Sequence, residues 1–348
     1  MPVNKKNLIG GGVLLVLMGA TLCALLQGQQ LSQLLALLGR VKPGWILVGL
    51  GFMLVFVGCE ALSTRLILTR LGHKPKYMRC LGYSFVGFYF GSITPATSGG
   101  EPAQVYCMSR DGIPAAHGAL DMMLLGVGYQ VISLLYAAVA LLVYPHLLTE
   151  MGTGLGLLLI YGTAVMLTIT VAMLLFMFRP DIAKALSGHV LALLVRLRIL
   201  KDQERAERGL NRHMKDYRAG AGCIRANPGL AVGLFVFTLF QLTGLFAVPF
   251  AVYQAFGLTG HSPFEIICAQ ALLNLAVSML PLPGAMGVTE GGFVRFFTVF
   301  FGAELVTPAV LVSRGVSFYA ALVISASVSL LVHLLARGRA RRRALQGA

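Results

Sequence analysis

The sequence predicts an all-α, polytopic integral membrane protein with about six spanning helices and two Pro/Gly-broken re-entrant hairpins arranged as an inverted repeat. Three observations carry this. Of 348 residues, 57% are hydrophobic and 12% charged, and mean hydropathy is +0.80, whereas soluble domains carry about 25% charged residues. Apolar runs long enough to cross ~30 Å of hydrocarbon, about 20 residues each, recur along the whole chain. Two further apolar stretches are interrupted by Pro and Gly at corresponding places in the two halves.

In order, the full spans fall at 8–26, 44–68, 113–143, 155–178, 229–257 and 305–335. The first follows Lys5 and Lys6 and has the look of a signal peptide, but no small-x-small cleavage site follows it, and it is expected to be a retained helix. The broken stretches lie at 81–110 and 264–302, with ~15 apolar residues per arm, short for a crossing. Four segments result: a first half over 1–178 containing the first hairpin, a basic amphipathic linker over 179–228, a second half over 229–336 containing the second hairpin, and a basic tail over 337–348.

Basic residues choose the side, because Lys- and Arg-rich loops stay cytoplasmic. With both termini in the cytoplasm, 24 of the 28 Lys and Arg residues are cytoplasmic, and the loop from Pro145 to Thr153 has none and faces out. The expected location is the cell (plasma) membrane. The first hairpin then enters from the cytoplasm and the second from outside. The net charge of +15 is explained by topology, with the basic linker lying on an anionic leaflet, and no nucleic-acid partner is expected. The six cysteines are scattered, with no C-x-x-C pair or His spacing for a metal, so neither metal nor other cofactor is expected.

Unwound backbone inside a membrane is tolerated only where it is packed in protein or lines a cavity, and paired interrupted segments point to a transporter with its substrate site between them. Helix N-termini facing such a cavity favour anions, which makes a phospholipid head group a natural ligand. The candidate substrate-binding and translocation residues are Pro95, Gly99, Gly100 and Glu101 on the first tip and Pro283, Gly284, Gly287 and Glu290 on the second, with Arg295 and Arg314 as cations for phosphate. Glu60, Arg65 and Asp121 are further ionisable groups in apolar segments, where charge is costly and usually marks a pathway. Pairing of the arginines with Glu290 or Glu304 is the alternative role for them. No G-x-x-x-x-G-K-S/T loop is present, so an ion gradient or lipid supply is the expected energy source.

The tips Thr94-Pro95 through Gly100-Glu101-Pro102-x-x-Val105-Tyr106 and Leu280-Pro281-Leu282-Pro283-Gly284-x-x-Gly287-Val288-x-Glu290 resemble those of the membrane domain of the lysylphosphatidylglycerol synthase/flippase family, the multiple peptide resistance factor of bacteria. The resemblance implies translocation of phospholipid, with an anionic or aminoacylated head group, between leaflets, and a role in resistance to cationic peptides. A separate lipid-modifying enzyme is an implied partner. The chain looks like the membrane module alone, since 201–228 is too short for aminoacyl transfer from tRNA. Where the family often has Arg three residues after the first motif Glu, this chain has Gln104. Phosphatidylglycerol lysyltransferase activity, alone or as a subunit, and small-solute transport are the alternative functions.

Overall fold

A computed structural model describes residues 31–94, 97–178, 226–280, 282 and 285–346, with Gly19 and Gly222 besides. The predicted span at 8–26 and nearly all of the basic linker lie outside the described residues. No strand occurs among the described residues, which build helices joined by short turns. The protein is a multi-pass, all-α membrane protein.

The helices are α1 (Leu31–Leu38), α2 (Pro43–Arg70), α3 (Tyr77–Ser92), α4 (Gly100–Arg110), α5 (Ala115–Val143) and α6 (His146–Phe178), followed by α7 (Pro228–Phe246), α8 (Val248–Ala255), α9 (Pro263–Ser278) and α10 (Val288–Arg314). A π-helical turn over Gly315–Ala320 leads into α11 (Ala321–Gln346). Five apolar stretches are long enough to cross a membrane: Pro43–Arg70, Ala115–Val143, His146–Leu175, Pro228–Ala255 and Val288–Leu334. Four of them overlap the spans predicted at 44–68, 113–143, 155–178 and 229–257, and the fifth contains most of the one predicted at 305–335 together with part of the second broken stretch. Two refinements emerge. The span predicted at 229–257 is broken at Ala247, where Pro249 restarts the helix as α8, and the one predicted at 155–178 is preceded by a short turn of helix from His146, separated from it at Gly152.

The two broken stretches are both helix–turn–helix. α3 and α9 have 16 residues each, about 24 Å of helix, too short for a ~30 Å core. α4, with 11 residues, packs back on α3, and α10 packs on α9.

Only a reversal of the chain explains α10. Glu290 and Arg314, 24 residues apart, stand 2.6 Å from each other, whereas a straight helix would separate them by about 36 Å. The turn is at Gly302, with φ 72° and ψ 165°, a backbone conformation essentially reserved for glycine. Val288–Phe301 thus packs back on α9 as the second arm of a helix–turn–helix, and a further helical arm starts after Gly302.

The core gathers around α9. Ile266, Leu272, Leu273 and Leu275 are buried there against Phe293, Phe296, Phe297, Phe300 and Phe301 of α10, an i, i+3, i+4, i+7, i+8 stripe that forms one helix face. Phe293 and Phe297 stack at 4.1 Å. Outside, large apolar side chains such as Leu142, Leu157 and Val323 are exposed, as a lipid-facing surface requires.

Candidate functional site

The two tips share a local geometry. Each ends in a residue other than glycine with positive φ, Thr97 (55°) and Ala285 (49°), placed three residues before the first residue of the next helix. Each of these begins a single tight turn that leads straight into the helix. In the first tip the Thr94 hydroxyl donates to the Phe90 carbonyl at 2.7 Å and accepts from the Gly99 amide at 2.9 Å. A methyl on Gly99 would stand 2.6 Å from Thr94 Cγ2, and one on Gly100 would stand 2.8 Å from the Gly87 carbonyl, so the glycines let the tip close. Glu101 follows in the first turn of α4 and is exposed.

The tips meet. Ile93 from the first and Met286 from the second are buried together against Phe318 of the π-helical turn. Unlike Glu101, Glu290 is only 2% exposed. One carboxylate oxygen accepts from the Gly287 amide at 2.6 Å, capping the start of α10, while the other accepts from Arg314 Nε at 2.6 Å. The Arg314 guanidinium lies 4.6 Å from the centre of the Phe318 ring, a cation–π contact. Arg314 thus ties the second tip to the crossing helix. Pro95, Pro283 and Gly284 lie outside the described residues.

Arg295 stands elsewhere, in an open cleft of about 400 Å³ lined by Met151, Gly152, Thr153, Gly154, Leu155, Val288, Gly291 and Gly292 besides. It is exposed, with no acidic partner among the described residues. Gly152, at φ 73° and ψ 173°, interrupts α6, so the amides of Thr153, Gly154 and Leu155 begin a new helix at the cleft wall. A virtual Cβ on Gly152 lies 3.2 Å from an Arg295 guanidinium nitrogen. Free amides of a helix start and an uncompensated guanidinium on one cavity make an anion-binding surface.

A second polar group of residues lies deeper. Glu60 accepts from Gln104 Nε2 at 3.1 Å and from Gln241 Nε2 at 3.3 Å, so two neutral amides hold it. Gly87 makes this possible, since a Cβ there would fall 2.0 Å from Gln104 Nε2. Gly87→Ala is expected to push the amide off Glu60 and leave a half-buried carboxylate oxygen without its donor, destabilising the protein by about 1–3 kcal/mol. Thermal unfolding checks this, and the loss should nearly vanish in a Gln104→Ala background, where the bond is already gone.

The structure therefore brings Gly287, Glu290 and Arg314 together, joins the tips through Ile93 and Met286, and sets Arg295 apart. Gly152 and Thr153–Leu155 were absent from the sequence-based candidates. Their signal was the Gly152-x-Gly154-x-Gly156 run before a long apolar stretch, a second break like those at the tips.

A family described as "Lysylphosphatidylglycerol synthase TM region" matches residues 7–325. Two relatives, each described as "UPF0104 membrane protein", align with most of the chain. One from Archaeoglobus fulgidus is 24% identical over 263 residues, covering 74% of this chain and 78% of that protein. One from Methanothermobacter thermautotrophicus is 25% identical over 274 residues, covering 74% of this chain and 75% of that protein.

Proposed function

Since this chain belongs to the family of the lysylphosphatidylglycerol synthase transmembrane region, we propose that it moves a phospholipid between the leaflets of the plasma membrane, with both termini cytoplasmic. Anionic phosphatidylglycerol, plain or aminoacylated by a separate enzyme, is the substrate class. The observation that carries this proposal is the cleft: its uncompensated Arg295 and the helix start after Gly152 supply charge and N–H donors for a phosphate, while the tails stay in lipid. By the sorting of basic residues the cleft opens near the outer face, because the loop that ends at Thr153 carries no Lys or Arg. Two hairpins of opposite entry, meeting at Ile93 and Met286, give one passage two gates. Glu290 and Arg314 hold the second gate, and the exposed Glu101 faces the passage from the first.

The test is movement of fluorescent phosphatidylglycerol across proteoliposome membranes. Hydrogen bonds to charged groups contribute about 1.5–3 kcal/mol, so Arg295→Ala should slow movement by about 10- to 100-fold, with Arg295→Lys in between because it keeps charge but loses the two-pronged contact. An Arg295→Ala protein as fast as the intact one would remove the cleft from the pathway. No lipid movement by folded intact protein, for any head group and with an imposed ion gradient, would favour small-solute transport instead.

A further inference from the structure

Beneath the tips, α2, α3, α4, α5 and α7 enclose polar groups that lipid binding leaves unused. Asp121 of α5 is fully buried, and neither of its carboxylate oxygens has a hydrogen-bond partner among the described residues. Its electrostatic neighbours are Thr64, outside hydrogen-bonding geometry, and a second carboxylate, Glu60. Around them the hydroxyls of Ser63, Thr64 and Ser84 are likewise buried and unpartnered. No Lys or Arg pairs with either acid among the described residues.

The two acids differ in their surroundings. Glu60 receives an N–H from each of two glutamines. Asp121 receives none, and a bare carboxylate beside another negative charge in a water-free interior is far too costly to persist. It is stable only with a proton on it or a cation against it. The facing groups decide which. Cys80 on α3 is in electrostatic reach of Asp121, Arg65 acts on Cys80, and Glu101 on α4 acts on Glu60. α7 offers only Gln241 and no charged side chain, while the acids of α6 and α9, Glu150 and Glu265, stand near the opposite ends of those helices. Neither acid thus has a cation beside it among the described residues.

Polar side chains also line up from Asp121 towards the end of the bundle that the basic residues assign to the cytoplasm. His117 lies one helical turn before Asp121 on α5, the i, i+4 spacing that places both on one face, and its ring nitrogen meets His73 at 2.8 Å near the cytoplasmic ends of α2 and α5. Thr64 and Glu60 repeat that spacing on α2, leading further towards the middle of the membrane.

We propose that Asp121 is a proton-binding site, loaded from the cytoplasmic side past His73 and His117, and that proton transfer between Asp121 and Glu60 couples translocation to the proton gradient. Protonated, Asp121 can donate to the Thr64 hydroxyl. Once the proton has passed to Glu60 and Glu60 has released it in turn, two carboxylates face each other across α2 and α5, and their repulsion drives the helices that carry the first hairpin. The coupling rests on the translocation proposed above, but proton binding does not.

Infrared difference spectra of the full-length protein in nanodiscs read the proton directly. At neutral pH the intact protein should show the carbonyl stretch of a protonated carboxyl group, lost in Asp121→Asn and kept in Glu60→Gln. Absence of that band, its persistence in Asp121→Asn, or its removal by sodium at constant pH would overturn the site, the last by making it a metal-cation site. In proteoliposomes, one unit of pH gradient should shift the final leaflet distribution up to about tenfold if one proton moves with each lipid, and Asp121→Asn should abolish that shift. Lipid that moves with the same distribution at every gradient would overturn the coupling. Absence of lipid movement together with the Asp121 band would instead fault the translocation proposal and leave the proton site standing.

Discussion

Replacing Arg314 with Leu should destabilise the protein by about 3–5 kcal/mol, the usual cost of leaving one member of a buried ion pair without the other. Glu290 is 2% exposed and its partner's side chain 13%, so water cannot take over the lost contact. The carboxylate would keep its bond from the Gly287 amide but lose its counter-charge. Arg314→Leu also removes the contact with Phe318, against which the two tips pack. Unfolding followed by heat or denaturant in detergent would measure the loss. The double variant Glu290→Gln, Arg314→Leu should recover most of it, because a neutral pair needs no counter-charge and the amide still caps α10. Single losses that simply add in the double variant would show that the pair is not what holds the second tip.

This pair marks where sequence reasoning stops. Glu290 and Arg314 were both legible as costly charges in apolar segments, and pairing with Glu290 was one of two roles open to Arg314. What no spacing argument could supply was the choice, since 24 residues along a helix place two side chains far apart unless the chain turns back. Arg295 resembled Arg314 in sequence, as an arginine inside an apolar stretch, yet it opens on a cleft. The difference lies in what α6 brings beside it, a tertiary contact with no trace in α10 itself. Glu101 and Glu290 seemed equivalent for a similar reason. Counted from the helix starts they are one residue out of step, and that step turns Glu290 onto its own cap and leaves Glu101 exposed.

The larger elements were easier, because hydropathy is summed over many residues and outlasts local exceptions. The stretches at 44–68 and 113–143 match α2 and α5 closely, and the hairpin arms declared themselves by being too short. Helix ends set by single residues were harder. Nothing in the stretch from Leu147 to Leu159 competes with a continuous helix except glycine, and glycine in membrane helices is common for packing alone. Asp121 was visible as an intramembrane charge, but its lack of a hydrogen-bond partner among the described residues is a property of the assembled bundle.

Gly302 makes the sharpest test of how the second hairpin is held. At φ 72° and ψ 165° it occupies a region that side chains other than glycine enter at a cost of about 1–3 kcal/mol, and open space surrounds the position of a Cβ there, so Gly302→Ala probes conformation without a clash. If the turn relaxes towards a helix, Glu290 and Arg314, each twelve residues from it, are carried apart. The substitution then adds the cost of a broken buried pair to that of strain, and its total should exceed either alone. In the Glu290→Gln, Arg314→Leu background only strain remains, and the effect of Gly302→Ala should fall to about 1–3 kcal/mol. An equal effect in both backgrounds would mean that the turn keeps its shape and that the pair survives the substitution. A larger effect in the intact background would mean that a backbone reversal and an ion pair, far apart in sequence, stabilise one another, so that moving the hairpin as a gate requires both to yield together.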